Sequence, residues 1–224
     1  MARRPKAWLA WSTGKDSAWA LHTLRLRDEF EVVALLTTVN RTHARVAMHA
    51  VREALLEIQT RAAGLPLVAV PIPSPCPNEV YESAMAVAME QARAEGVTHV
   101  AFGDLFLEDI RRYREERLAA CNMTPIFPIW RHDTSALAGE MLAAGVRAIV
   151  TCVDPKRLAP EFAGRIWDEA FLRDLPAGVD PCGENGEFHT FAYAGPPLSL
   201  PVAVEVGEIV ERDGFVFADV LPRT

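Results

Sequence analysis

Cysteine is scarce in this chain, and no two cysteines lie close together. The 224 residues include Cys76, Cys121, Cys152 and Cys182, with successive cysteines 30 to 45 residues apart. Zinc sites usually contain a closely spaced cysteine pair, and disulfide frameworks are typical of short secreted domains. The spacing therefore predicts reduced cysteines, most of them packed as small apolar side chains.

Long apolar runs and an excess of basic residues are also missing. No stretch approaches the ~20 apolar residues of a membrane span. The run Ala7–Trp11 is shorter than the ~7–15 residues of a signal peptide, and Lys15 and Asp16 follow it closely. The formal net charge is −7, whereas a broad nucleic-acid surface needs a basic excess. We therefore expect a cytoplasmic protein that uses neither a membrane nor a nucleic acid as a partner.

Short apolar runs alternate with helical patterns over the first two thirds of the chain, and half of all residues are hydrophobic. This alternation indicates an α/β fold, with a mostly parallel sheet covered by helices on both faces. The expected strands are Ala7–Trp11, Val32–Thr37, Leu67–Val70, Val97–Phe102, Pro125–Ile129 and Val146–Cys152. The expected helices are Asp16–Asp28, Arg45–Ala63, Asn78–Glu95, Glu108–Ala120 and Thr134–Ala144.

The pattern changes after about residue 153. A helical period persists at Phe162–Leu172, and a stretch rich in Gly and Pro follows it. The runs Val202–Glu211 and Phe215–Leu221 flank Asp213-Gly214, which indicates a β-hairpin. We therefore expect a nucleotide-binding domain at residues 1–125 and a smaller α+β domain at residues 126–224.

The segment Ser12–Ser17 (Ser-Thr-Gly-Lys-Asp-Ser) follows the first expected strand and opens the first expected helix. An open parallel sheet binds its ligand at this edge, and free N–H groups at a helix start attract anions. The segment does not fit the Walker A pattern, because Leu9 stands at its first glycine and Asp16 at its Ser/Thr. It predicts a phosphate loop of another type, the alternative being a helix cap without a ligand.

A second candidate segment is Phe102–Arg114, which follows the fourth expected strand and carries Gly103-Asp104. Asp109 and Arg112 share a helix face at a spacing of three. The segment is either a salt-bridged, solvated helix or a helix that binds an acceptor molecule beside a nucleotide.

A third candidate segment is Asp180–Thr190, which holds glycines, glutamates, a histidine and a threonine within a few positions. Its carboxylates could hold an ammonium ion, a cationic acceptor or Mg²⁺, and His189 could carry a proton. The alternatives are a tight turn entering a strand, and a nucleophilic role for Cys182.

The first segment resembles the Ser-Gly-Gly-x-Asp-Ser loop of the ATP pyrophosphatases, with Thr13 at a position that is usually glycine. All three segments together, including Gly183–Thr190, resemble the diphthine–ammonia ligase family, in its short archaeal and bacterial form. This resemblance implies a Rossmann-like (HUP-type) ATP domain, a second domain, and an acceptor held between them. It also implies ATP and Mg²⁺, with AMP transferred to a carboxylate and then displaced by ammonia.

The resemblance assigns roles by position, and the acceptor it implies is an unidentified carboxylate-bearing small molecule or a modified protein side chain. The implied ATP-binding residues are Ser12, Thr13, Gly14, Lys15, Asp16, Ser17, Thr37, Gly103 and Asp104. The implied substrate-binding residues are Asp109, Arg112, Gly183, Glu184, Asn185, Gly186, Glu187 and Thr190. The implied catalytic residues are Lys15, Asp16, Glu184, Glu187 and His189.

Two other functions stay open from the sequence: sulfur transfer to tRNA within the same superfamily, and non-enzymatic ATP sensing. The first would usually need paired cysteines and a basic surface, and the second would not need Gly183–Thr190. The oligomeric state is open, with a homodimer among the alternatives.

Overall fold

The first sheet is built from strands that alternate with helices along the first 126 residues. The computed structural model describes residues 3–46 and 49–223. The strands are β1 (Lys6–Ala10), β2 (Glu31–Asn40), β3 (Arg45–Val46), β4 (Leu67–Ile72), β5 (Val97–Ala101) and β6 (Thr124–Ile126). The helices are α1 (Lys15–Arg27), α2 (Glu53–Ala63), α3 (Asn78–Ala94) and α4 (Glu108–Ala120).

Five of these strands run parallel in the order β4-β2-β1-β5-β6. Because side chains alternate along a strand, Trp8 and Leu9 of β1 face opposite sides of the sheet. Leu9 packs in a core with residues of α1 and α2. Trp8 packs in a second core with residues of α3 and α4. The predicted α/β fold, with a mostly parallel sheet and helices on both faces, is confirmed.

The second sheet is antiparallel and formed by the rest of the chain. Its strands are β7 (Arg147–Val153), β8 (Ile166–Trp167), β9 (Phe188–Ala194), β10 (Val204–Arg212) and β11 (Phe215–Pro222). β7 pairs with β8, β9 and β11, and β10 pairs with β11. The helices α5 (Thr134–Ala143) and α6 (Glu169–Asp174) begin after Asp133 and Asp168, whose side chains cap them.

The two sheets share one hydrophobic core, which runs from Leu9 and α2 to Val150 and Phe191. Gln59 joins them through polar contacts inside this core. Its Oε1 accepts from Trp11 Nε1 at 2.7 Å, and its Nε2 lies 2.9 Å from Thr13 O and 2.6 Å from Ala192 O. Thr13, at the start of the predicted phosphate loop, is therefore bonded to the second sheet.

The predicted helix Arg45–Ala63 is wrong over its first part. β2 extends beyond the end of β1, which leaves a free edge at Val39 and Asn40, and β3 pairs with that edge. Pairing a free strand edge satisfies backbone groups that a helix would otherwise satisfy internally. The helix begins only at Glu53, and residues 47–48 lie outside the described part of the chain.

The predicted helix Phe162–Leu172 is also wrong over its first part, although residues from Glu169 onward are helical. Gly164 has φ +80°, and Ile166–Trp167 pairs with β7, so the helix starts after Asp168. The expected strand Val146–Cys152 is present as β7, but it lies in the second sheet. In the described part of the chain, no helix is both long and apolar enough to cross a membrane.

Candidate active site

The candidate site lies where the connections of the parallel sheet change direction. From β1 the chain proceeds outward to β2 and β4, and it then returns to β5 on the other side of β1. At such a switch point, the loops after the two central strands diverge and leave a crevice at the carboxyl edge. The loops that follow β1 and β5 carry Ser12–Gly14 and Phe102–Leu107. Topology therefore brings the first two candidate segments together.

The phosphate loop is held by short internal hydrogen bonds. Ser12 Oγ accepts from Gly14 N at 3.3 Å and lies 3.2 Å from Ser17 Oγ, while Ser17 Oγ donates to Gly14 O at 2.9 Å. A Cβ on Gly14 would approach Thr190 O to 3.2 Å. Glycine therefore eases the close approach between these two backbones, since a Cβ would force a shift of a few tenths of an ångström.

Thr13 has the left-handed backbone that glycine would adopt without strain, with φ +71°. Its side chain is fully buried and does not line the cavity. Among the described residues its Oγ1 has no hydrogen-bond partner, while its carbonyl accepts from Ala192 N at 2.9 Å. The threonine side chain therefore points away from the cavity, and only the backbone of Thr13 belongs to the loop.

Lys15 is buried, and its hydrogen bonds connect the predicted phosphate loop to the third segment. Its Nζ donates to Asp16 Oδ2 at 2.9 Å and to Cys182 O. It also lies 5.5 Å from the ring centre of Trp167 and 5.4 Å from that of Phe188. Burial alone would lower the pKa of Lys15, but the Asp16 carboxylate and the other acidic groups near it, Cys182 and Asp180, together outweigh burial and hold that pKa above its ordinary value.

The crevice contains a cavity of about 680 Å³, which is within the size range of ligand pockets. Most of the residues expected to bind ATP or an acceptor line it. They are Ser12, Lys15, Asp16, Ser17, Thr37, Gly103, Asp104, Gly183, Glu184 and Thr190, and His189, which was expected to be catalytic, lines the cavity with them. Thr37 lies at its wall with its hydroxyl bonded to Trp11 O at 2.8 Å.

Asp104 is already paired within this cavity. Arg114 donates to its carboxylate through Nε at 2.5 Å and through Nη2 at 3.0 Å. The guanidinium of Arg114 also lies 4.2 Å from the ring centre of Phe102. Asp104 and Arg114 therefore act as one bidentate ion pair at the cavity wall, and sequence reasoning had not singled out Arg114.

Glu184 links the third segment to the loop after β5. Its Oε1 accepts from Leu105 N at 2.7 Å. Burial, and then the charges of Asp16 and Asp104, raise the pKa of Glu184 to about 7. The carboxyl group therefore titrates close to neutral pH, which is typical of groups at functional sites.

Glu187 lies behind the cavity wall. Its Oε1 accepts from Asp180 N at 3.2 Å and from Asn185 Nδ2 at 3.0 Å. Its Oε2 is buried without a partner among the described residues. Glu187, Asn185 and Gly186 do not line the cavity, so they shape the third segment from behind.

Asp109 and Arg112 lie on the exposed face of α4 and do not line the cavity. Within residues 3–46 and 49–223, neither forms an ion pair, and Glu108 pairs instead with Arg131 at 2.6 Å. The structure does not bring these two residues to the other candidates.

Local sequence patterns did not indicate two further parts of the cavity wall. One is His49, whose ring lies 4.6 Å from that of His189. The other is an apolar wall that includes Tyr81, Met85 and Met89 of α3. Both come from segments without a local motif, and only the tertiary fold places them here.

Neither of the buried cysteines, Cys152 and Cys182, is activated as a nucleophile. Burial raises the pKa of Cys152 to about 12, and burial also raises the pKa of Cys182. A thiol with a raised pKa is a poor nucleophile because the thiolate is the reactive form. Among the described residues, no group of three or more His, Cys, Asp or Glu side chains forms a ready metal site.

Both halves of the chain match models of one protein family. Residues 5–122 match the diphthamide synthase N-terminal domain, and residues 133–217 match the diphthamide synthase C-terminal domain. The division at residue 125 stays a prediction.

Curated relatives are similar over part of their length. Diphthine–ammonia ligase of Bos taurus is 29% identical over 149 residues, which covers 64% of this chain and 54% of that protein. The Danio rerio protein of the same name is 31% identical over 137 residues, covering 58% and 52%. That of Homo sapiens is 28% identical over 149 residues, covering 64% and 54%. The chain spans about half the length of these curated relatives. Because the family models match most of the sequence, the chain belongs to the diphthamide synthase family.

Proposed function

We propose that this chain is an ATP-dependent, AMP-forming ligase that joins ammonia to a carboxylate. Its curated relatives are named diphthine–ammonia ligase, which is the name of a ligase for ammonia. The cavity at the switch point also has the loop and the charged groups that such a reaction needs.

One observation carries this proposal: the predicted phosphate loop and the third segment meet at one cavity. The backbone N–H of Lys15 donates to Thr190 Oγ1 at 3.2 Å, and its Nζ donates to Cys182 O. A nucleotide sensor would need only the loop. Direct contact between loop and third segment instead supports a site where ATP and a second substrate react.

The loop would hold the two phosphates that leave together. The start of α1 offers N–H groups for anions, and Ser12 and Ser17 add hydroxyl groups beside them. Mg²⁺ usually binds through one or two carboxylates together with phosphate oxygens. Asp16 and Glu184 fit that donor set, and the ion would there stabilise negative charge on pyrophosphate.

The proposed chemistry has two steps. A carboxylate oxygen of the acceptor attacks the α-phosphorus, and the bond from that phosphorus to the bridging oxygen breaks as pyrophosphate leaves with the electron pair. The nitrogen of ammonia then attacks the carbonyl carbon, the bond to AMP breaks, and the nitrogen loses one proton. The acceptor is a carboxylate-bearing small molecule or a modified protein side chain.

Labelled ATP tests this proposal directly. The purified chain is incubated with ATP labelled at the α- or γ-phosphate, together with Mg²⁺, ammonium and either a deproteinised extract or a total protein extract. We expect AMP and pyrophosphate in equal amounts, lost in Asp16→Ala but kept in Glu116→Ala, an exposed position on α4. Formation of ADP would contradict the proposal, and intact ATP with both extracts would favour a sensor.

Sulfur transfer is disfavoured by the buried thiols. If Cys152 or Cys182 carried sulfur, replacing both by serine would abolish activity. We expect the double variant Cys152→Ser/Cys182→Ser to keep incorporation of labelled ammonium into the acceptor, because a sulfur-transfer enzyme without its cysteines could still form AMP.

A further inference from the structure

Two histidine rings from distant parts of the chain face each other at the cavity wall. His49 follows β3 and His189 lies in β9, and their ring centres are 4.6 Å apart. Both rings line the cavity. The next residue after His189 is Thr190, whose hydroxyl accepts from the backbone of Lys15. The pair therefore lies beside the phosphate loop.

The contacts of His49 define which of its nitrogens carries hydrogen. Its Nδ1 lies 3.3 Å from Thr190 O. A carbonyl oxygen can only accept, so Nδ1 is the donor in this contact and Nε2 of a neutral ring is left as an acceptor. Among hydrogen bonds between described residues, none involves the ring of His189. Each ring, when neutral, therefore has one nitrogen that carries no hydrogen and can accept from an N–H donor.

The surroundings of the pair disfavour a positive charge. Burial, followed by the charges of His189 and Lys15, lowers the pKa of His49 to about 3. Burial and the charge of Lys15 lower the pKa of His189 to about 4. Lys15 on α1 is the charged group facing both rings, and Asp16 is its partner. Burial and the positive charge of Lys15, which disfavour an imidazolium here, also disfavour any other cation.

We propose that His49 and His189 form a subsite for neutral ammonia. The inference rests on the proposed function, because that function uses ammonia as the nucleophile. Ammonia has three N–H donors and one lone pair. The ring nitrogens accept N–H hydrogens and leave the lone pair free to reach a carbonyl carbon. Ammonium has the donors but no lone pair, and it carries the charge that this wall disfavours.

Histidine NMR without ATP tests the subsite independently of turnover. The chain, labelled in its histidine rings, is titrated with ammonium chloride at fixed ionic strength. We expect saturable shifts at His49 and His189, none at the exposed His43 and His132, and none at any ring with potassium chloride. Between about pH 6.5 and about pH 8.5, the midpoint in total ammonium should fall about tenfold per pH unit, because the ammonia fraction rises by that factor.

Three results would overturn the inference. They are a midpoint that does not depend on pH, equal shifts at His43 and His132, or no shift at the pair. In His189→Asn we expect the saturable shift of His49 to disappear, whereas the matched control His132→Asn keeps it. Normal AMP formation without an ammonia shift would reject the subsite alone. An ammonia shift with no AMP formation would reject the ligase and keep the subsite.

Discussion

Gly103 and Asp16 touch through their backbones where the loop after β5 meets the first turn of α1. A Cβ on Gly103 would lie 2.9 Å from the carbonyl carbon of Asp16 and 3.0 Å from Ser17 N. Real Cβ atoms do not approach so closely, and backbone atoms cannot turn aside as a flexible side chain can. The absence of a side chain at Gly103 thus lets two loops share one edge of the sheet.

Gly103→Ala is expected to push the start of α1 away from β5. We expect a loss of about 1–3 kcal/mol in the free energy of unfolding, as in other overpacked sites, and weaker ATP binding. Urea denaturation and calorimetric titration measure the two effects. Gly139→Ala is the matched control, because a Cβ in the interior of α5 meets nothing within 4 Å. It should stabilise the protein by up to about 1 kcal/mol, and equal behaviour of the two variants would contradict the expectation.

Thr13 is expected to respond to substitution through its backbone and its hydroxyl, which has no hydrogen-bond partner among residues 3–46 and 49–223. Thr13→Gly should be more stable than Thr13→Ala by about 1 kcal/mol, because the position has a positive φ. Thr13→Val keeps the side-chain shape and removes the buried hydroxyl, so we expect a gain of about 1 kcal/mol. Chemical denaturation of the three variants measures both differences. A Thr13→Ala variant as stable as Thr13→Gly would show that the backbone at this position is not strained.

Glu184 is expected to make the protein less stable as the pH rises toward neutrality. Its pKa in the folded chain is about 7, above the ordinary 4.5. The folded state therefore retains a proton that the unfolded state loses between these values, and stability falls across that range. Glu184→Gln should remove this fall, which is on the order of 1–3 kcal/mol. Unfolding free energies at about pH 5 and about pH 7.5 measure it, and identical profiles for both proteins would contradict the assignment.

The two cavity histidines, His49 and His189, are expected to change stability with pH in the opposite direction. Because the pKa of His189 is lowered to about 4 from 6.5, the unfolded state binds more protons between these values. The stability that this ring contributes is complete above about pH 6.5 and is lost as the pH falls through about 4. His189→Asn should flatten the acid side of the stability profile, whereas the exposed control His132→Asn should leave it unchanged. Glu184 changes stability in the opposite direction over much of the same pH range. The effect of His189 is therefore best measured in the Glu184→Gln background.

Much of the fold was predictable because its signals are local. The apolar run of β1 and the helix after Ser12–Ser17 can be recognised without reference to the rest of the chain. The segment at Arg45 could not be assigned in this way, because its conformation depends on the edge that β2 leaves free beyond β1. Likewise, Ile166–Trp167 is extended because it pairs with β7, a partner that local periodicity does not reveal.

In the candidate site too, local patterns predicted some residues and missed those whose positions depend on tertiary contacts. Motif residues such as Lys15, Asp104 and Glu184 could be selected from short segments. The sequence did not reveal that Glu187 would face away from the cavity, since neighbouring positions of a loop have no fixed alternation. It also gave no signal for His49 or Arg114, whose positions depend on contacts with His189 and Asp104. Side chains brought in by tertiary contacts are thus the part of the site that local patterns miss.

The polar ties of β9 to the phosphate loop have a consequence for how the chain can be divided. Ala192 N donates to Thr13 O, and Ala192 O accepts from Gln59. A fragment that ended near residue 125 would leave Thr13 and Gln59 without these partners and uncover the core beneath them. We therefore do not expect the first 125 residues to bind nucleotide as a separate module. A C-terminal part exchanged for that of another family member would have to present a donor and an acceptor at the position of Ala192.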